Sequence, residues 1–210
     1  MHLAAKSRNI LRALVQAHGT AALKRRIWDR EFASGRWKCL ETAPGDCVYP
    51  FVEKYATNGS ILDLGCGTGS TGHELDETKY RDYTGVDISD VALATARQST
   101  VANGRAGSNR YIGGDIFSYV PDRKADVILF KDCIYYIPRG KITGMLDRYA
   151  PYLTERGVFV ARIAASDRYT AIVDVIERHF DVIERQTFEH PPALVMVFRP
   201  PVSLPRLSRE

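Results

Sequence analysis

Three glycines at alternate positions, Gly65, Gly67 and Gly69, directly follow a short apolar run, Ser60 to Leu64, that carries one carboxylate, Asp63. Glycine at such a place lets the backbone turn sharply and approach a bound molecule with no side chain in the way. Asp63, two residues before the first glycine, suits an ammonium or a water network. Asp87 follows Gly65 by 22 residues and closes a second apolar run, where a carboxylate can accept both hydroxyls of a ribose. Asp115 stands after Gly113-Gly114 at the end of a third run, placed to accept from an adenine amino group, with Ile88 and Ile116 flanking the ring. With Cys66 inside the glycine turn, these residues describe a pocket for an adenosine that bears a charged amino-acid tail.

A second set of residues could act on whatever lies beyond that tail. Asp132 directly follows a fourth apolar run and could serve as a base, as a substrate ligand or as a loop cap. Tyr135 and Tyr136 come next and either touch a substrate or pack. His190, between two strand-like runs near the end of the chain, is the leading imidazole base. His73 could face the charged tail, and Arg162 either holds an acidic substrate or pairs structurally. No acidic triad at convincing spacing indicates a metal, so none is expected.

Such residues need strands that end together. Ser60–Leu64, Tyr83–Asp87, Arg110–Gly114, Asp126–Phe130 and Gly157–Ala161 read as strands, separated by helical stretches through about Thr78, from Ser89 or Asp90 to about Asn103, and over about Arg139–Leu153. A further helix spans about Asp167–His179. Phe180–Glu184 and Ala193–Phe198 are joined through His190-Pro191-Pro192 with no helix between them, which fits an antiparallel pair. The expected fold is therefore α/β: a doubly wound, seven-stranded, mostly parallel sheet with one antiparallel strand. Right-handed crossovers send the loops after the parallel strands to one edge, where ligands bind. Ahead of this core, Leu3–Ala17, about Thr20–Ala33, and a stretch capped by Asp46 and reaching Ala56 read as helices. Residues 1–57 are thus an N-terminal helical extension or lid, 58–200 the core and 201–210 a tail.

The 210 residues are 45% hydrophobic and 26% charged, ordinary globular usage. The net charge of +4 is uneven: residues 1–38 carry +7 and the remainder −3. A basic arm attracts anions, nucleic acid or a membrane surface, or is simply a solvated helix face. No apolar run approaches the roughly 18 residues that would cross a bilayer, and no secretory signal is read at the start. Cys39, Cys47, Cys66 and Cys133 form no C-x-x-C pair, which points to reduced thiols and a cytoplasmic setting.

The ordered motifs resemble those of the class I S-adenosylmethionine-dependent methyltransferases over about Ser60 to Arg199. "ILDLGCGTGS" (61–70) is similar to the family's first motif, "GVDIS" (85–89) to its ribose acid and "GDI" (114–116) to its adenine edge. "DVILFKDCIYYIP" (126–138) looks like the fourth-strand segment beside the methionine moiety, which assigns Phe130 to the cofactor. The stretch Trp28-x3-Phe32-x2-Gly35-x-Trp37 is more loosely similar to small-molecule members, in which it forms part of a lid; Trp37 joins the cofactor residues on that basis. Relatives often carry histidine where Tyr136 stands, so a histidine base at that position is absent here, and Tyr136 stays a catalytic candidate beside His190 and Asp132.

The resemblance implies S-adenosylmethionine as cofactor and a small-molecule acceptor, with O-methylation of a hydroxylated metabolite, sugar or natural product, as the working expectation. Thiol, nitrogen and carbon acceptors stay open, as does a homodimer. A nucleic-acid substrate is disfavoured: the amino-methylating [DNS]-P-P-[YFW] tetrapeptide is replaced by Lys131-Asp132-Cys133-Ile134. Gly67-Thr-Gly69-Ser-Thr-Gly72 also satisfies the dinucleotide fingerprint. That frame starts two residues late, because Gly65 already ends the strand, and it leaves the terminal hairpin and Gly114-Asp115 unexplained.

Overall fold

Strand β1 (Ser60–Leu64), covered on both faces of the sheet, is buried at every position, the polar Ser60 and Asp63 included. The computed structural model describes residues 15, 18–38, 44–164 and 169–201. The helix expected over Leu3–Ala17 thus lies outside the described residues apart from Val15, as do Cys39, the expected helix start at Asp167 and the tail after 201. Around β1 stand β2 (Asp82–Asp87), β3 (Asn109–Gly113), β4 (Ala125–Lys131), β5 (Leu153–Ala164), β6 (Asp181–Glu189) and β7 (Pro192–Arg199). They form one sheet in the order β3-β2-β1-β4-β5-β7-β6, in which β7 alone runs against the others. The strand order reverses between β1 and β4, and in open α/β sheets the crevice beyond such a reversal receives the ligand.

Alternation along the central strands divides the core. Leu62, Leu64, Ile128, Phe130 and Phe159 face one side. There α5 (Ile142–Tyr149) and α6 (Thr170–His179) cover them with Met145, Leu146, Tyr149, Ile172 and Ile176. Ile61, Val127, Leu129, Val158 and Val160 face the other side, under Phe51 and Val52 of α2 (Tyr49–Ala56) and Leu93 and Ala96 of α4 (Asp90–Ala102). Each large side chain buried this way contributes about 1.5–3 kcal/mol.

Three local expectations are corrected. The helix after the glycine turn, α3, covers only Ser70–Glu74; Leu75 turns extended, and Asp76 accepts from the Thr78 amide and hydroxyl to start a separate 3-10 turn at Glu77–Lys79. Asp46 does not cap α2 directly, because Val48 is the cap residue; Asp46 instead closes the preceding turn by accepting from the Val48 amide at 3.0 Å. Ser89 caps α4 through the Ala92 amide. The stretch expected as one helix over Arg139–Leu153 is α5 flanked by 3-10 turns at Arg139–Lys141 and Ala150–Tyr152.

Candidate active site

The ends of β1, β2 and β4, with the segment after β3, enclose a crevice of about 190 Å³. Its floor is built by the glycine turn. Gly65, Gly67 and Gly69 all adopt left-handed φ, +78°, +55° and +79°, a region that side chains disfavour. Gly65 has a second reason to be glycine, since a Cβ there would lie 2.8 Å from Cβ of Cys133. Gly65 and Cys66 donate their amides to the Val86 carbonyl, which ties the turn to β2.

Asp63 and Asp87 are set into this frame by complementary bonds. The Tyr83 hydroxyl donates to Asp63 Oδ2 at 2.5 Å, while Asp63 Oδ1 is buried with no hydrogen bond. Burial pushes the Asp63 carboxyl up to about 6, against the pull of Tyr83 and Lys131. Asp87 accepts from the Gly67 amide at 2.9 Å and from the Ser89 amide at 2.8 Å, so it fastens the glycine turn to the start of α4. Burial raises its pKa too, opposed by those amides. Asp115 accepts from the Phe117 amide on Oδ1 and lines the same crevice with Ile88 and Ile116.

Helix α1 (Ala21–Ala33), capped by Thr20, lies across the Asp115 end of the crevice. Lys24, Trp28 and Phe32, spaced by four and hence on one face, all line the crevice. Lys24 Nζ donates to Asp115 Oδ2 at 2.9 Å, both side chains being about nine-tenths buried, and lies 4.2 Å from the centre of the Phe117 ring. Asp29 accepts from the Ser89 hydroxyl and the Val91 amide, and Arg25 donates to the Ile88 carbonyl. Trp28 also meets Tyr136 edge-on at 5.0 Å and Trp37 at 6.2 Å, which makes an aromatic wall shared by the extension and the loop after β4.

Opposite this wall stand Asp46, Lys131, Asp132 and Arg162. Asp132 adopts a left-handed φ of +55° and takes both its oxygens to Arg162 Nη1, at 2.6 and 2.5 Å. Burial raises its pKa while Arg162 opposes the rise.

Of the expected residues, the structure brings Asp63, Gly65, Cys66, Gly67, Asp87, Ile88, Asp115, Ile116, Trp37, Asp132 and Tyr136 to this one crevice. Four lie elsewhere. Gly69 stands behind the turn, where a Cβ would meet Ala96 and Tyr111. Phe130 is fully buried between Tyr149 and Phe159 in the core. His190 is exposed at the β6–β7 turn; β7 is three strands from β1, roughly 14 Å at the usual strand spacing. His73 turns from the crevice toward the Thr100 hydroxyl (3.1 Å) and Tyr111 hydroxyl (3.4 Å), and burial lowers its pKa. Lys24, Lys131 and a crevice-lining Asp46 were not anticipated. The spacing of four that joins Lys24 to Trp28 and Phe32 was the one signal available for them. Among the described residues, no cluster of His, Cys, Asp or Glu could hold a metal ion.

The family model described as "Methyltransferase domain" matches residues 61–157, the stretch that contains β1 to β4 and the crevice floor. The chain is 26% identical to the mRNA cap guanine-N(7) methyltransferase of Schizosaccharomyces pombe, with 73% of this chain and 47% of that protein covered. It is 25% identical to the ribosomal protein L11 methyltransferase of Caldanaerobacter subterraneus, with 64% and 41% covered. The chain thus spans less than half the length of either relative. Among solved structures, the N-methyltransferase NodS from Bradyrhizobium japonicum, in complex with S-adenosyl-L-homocysteine, shares the fold: TM-score 0.64, 16% identity, 84% of this chain and 98% of that chain covered.

Proposed function

We propose that the chain is a class I S-adenosylmethionine-dependent methyltransferase and that it transfers the methyl group of S-adenosylmethionine to a small-molecule acceptor. One observation carries the reading: a single crevice joins a buried carboxylate with an unsatisfied oxygen, a left-handed glycine turn, a second carboxylate and the Gly114–Ile116 edge. Asp63 Oδ1 fits the donor's ammonium, Asp87 its ribose, and Asp115 its adenine amino group.

When bound, the donor supplies a methyl group already activated on a sulfonium, so the protein's task is alignment and exclusion of water. Orientation alone is worth on the order of 7–11 kcal/mol in favourable cases. Ile88 and Ile116 confine the base, the glycine turn lets backbone approach the tail, and Trp28, Trp37 and Tyr136 wall off solvent over the acceptor side. Residues 1–57 act in this reading as a lid, 58–200 as the catalytic core and 201–210 as a tail. No described helix is long and apolar enough to cross a membrane, and we place the protein in the cytoplasm, in keeping with free Cys47, Cys66 and Cys133.

For the acceptor atom, the hydroxyl oxygen of a metabolite is our first reading, supported by the aromatic wall that the extension contributes. Nitrogen is the second, and a specific observation favours it. Asp132 is engaged by Arg162 and His190 stands away from the crevice, whereas an amine lone pair needs no strong base. Calorimetry with S-adenosylhomocysteine, NAD and NADP tests the donor assignment: the first should bind and the nicotinamide nucleotides should not. A radiolabelled-methyl screen of hydroxylated metabolites, amines and capped RNA then ranks the acceptors. Exclusive uptake of a nicotinamide nucleotide would end this reading.

A further inference from the structure

Lys131 and Arg162 are register partners on the adjacent parallel strands β4 and β5, so their side chains leave the sheet side by side into the crevice. Two carboxylates, Asp132 and Asp46, face these two cations, but only Asp132 is hydrogen-bonded to either of them. Arg162, 8% exposed, spends Nη1 on Asp132. Its Nε is buried and makes no hydrogen bond, facing Asp46 Oδ1 across 3.4 Å. Lys131 Nζ donates to the Tyr49 hydroxyl at 3.1 Å and to Ser70 Oγ at 3.5 Å, and is 3.6 Å from Asp46 Oδ2. Asp46 therefore stands between a guanidinium and an ammonium and hydrogen-bonds to neither. Its one firm bond goes backward, to the Val48 amide. The residue before it, Gly45, has left-handed φ (+70°) and open space at its Cβ position.

A planar guanidinium N–H beside an ammonium is the donor set that recognises a carboxylate with two oxygens to place. We propose that Lys131 and Arg162 form a binding site for a ligand carboxylate, with Asp46 as its loosely held internal stand-in. The proposal rests on the methyl-donor reading, which defines the crevice. Two sources meet the chemistry: the carboxylate of the donor's amino-acid tail, or a carboxylate on the acceptor.

The test compares wild type, Lys131→Met and Asp46→Asn by calorimetry. Each is titrated with S-adenosylhomocysteine and with 5′-methylthioadenosine, which lacks the tail. Protein saturated with S-adenosylhomocysteine is then titrated with benzoate and with uncharged benzamide. A stand-in carboxylate requires opposite signs. Lys131→Met should weaken the carboxylate ligand by at least about tenfold, the worth of one charge-assisted bond. Asp46→Asn should tighten the same ligand by about threefold or more, as a competing charge is removed. Neither should move the carboxylate-free partner of the pair. This pattern in S-adenosylhomocysteine against methylthioadenosine assigns the donor tail; in benzoate against benzamide it assigns the acceptor. Any other pattern overturns the proposal, above all an Asp46→Asn variant that binds every ligand as wild type does or more weakly. Melting curves check folding, and the near-isosteric Asp46→Asn keeps the test decisive should Lys131→Met fail to fold. If wild type binds neither nucleoside, the donor reading fails by itself, and benzoate titration of the free protein decides the carboxylate site.

Discussion

Replacing Asp63 with Asn should stabilise the free protein as pH rises while loosening its hold on the donor's ammonium. Asp63 sits in the crevice floor with one oxygen on Tyr83 and the other unsatisfied. Burial raises its pKa from 3.8 to about 6. A carboxyl that is harder to ionise folded than unfolded contributes stability that is complete below 3.8 and lost as pH rises through about 6. From about pH 5 to about pH 8 the folded group sheds its proton while the unfolded one has already done so, at a cost to wild type of ~1.4 kcal/mol, the worth of one pKa unit. Asn has no such cost. The gap in unfolding free energy between variant and wild type should therefore widen by ~1.4 kcal/mol, about 3–6 °C in Tm for a chain of this size. Constant effects of the substitution, such as a partner for the new amide, cancel in that difference. Ligand-free thermal melts at the two pH values measure it. S-adenosylhomocysteine should meanwhile bind the variant at least about tenfold more weakly. Parallel pH profiles for the two proteins would refute the buried-carboxyl reasoning, and unchanged affinity would refute the ammonium role.

Asp87→Ala removes the ribose carboxylate and the tie from Gly67 to Ser89, so calorimetry should detect no S-adenosylhomocysteine binding; near-normal affinity would reject the assignment. Gly69→Ala forces a side chain into left-handed φ and within 2.9 Å of the Ala96 Cβ. Denaturant unfolding should show a loss of more than about 1 kcal/mol, and an unchanged midpoint would contradict the packing. Lys24→Met strips the buried partner from Asp115, so trypsin should cut α1 at Arg25, Arg26 or Arg30 markedly faster than in wild type, with equal rates counting against a latched helix. Turnover should survive EDTA, since no metal-holding cluster occurs among the described residues; loss restored by magnesium would overturn this.

Most of the sheet was legible because its signals are local. β1 was read at its observed limits, and the other strands at least overlap theirs, because short apolar runs between turn residues report burial directly. Asp63, Asp87 and Asp115 could be found because each closes such a run or follows it at once. What failed was lateral position. The hairpin turn does lie at the crevice edge of the sheet, yet sequence cannot tell that two further strands, β4 and β5, separate β7 from β1, and His190 is not among the residues that line the crevice. Phe130 lies one residue short of the crevice, for the strand stays buried until Lys131 and only the side chains from there onward line it. Lys24 was illegible for another reason. A lysine on an amphipathic helix reads as a solvated face, and nothing in one chain reveals that a buried Asp115, 91 positions later, awaits it.

Helix α1 places Lys24 on the adenine-edge carboxylate and Trp28 against Tyr136, and Lys24 to Phe32 runs only about 12 Å along its axis. One rod therefore spans the crevice from its Asp115 end to the aromatic wall, so loosening it at Lys24 is felt at Trp28.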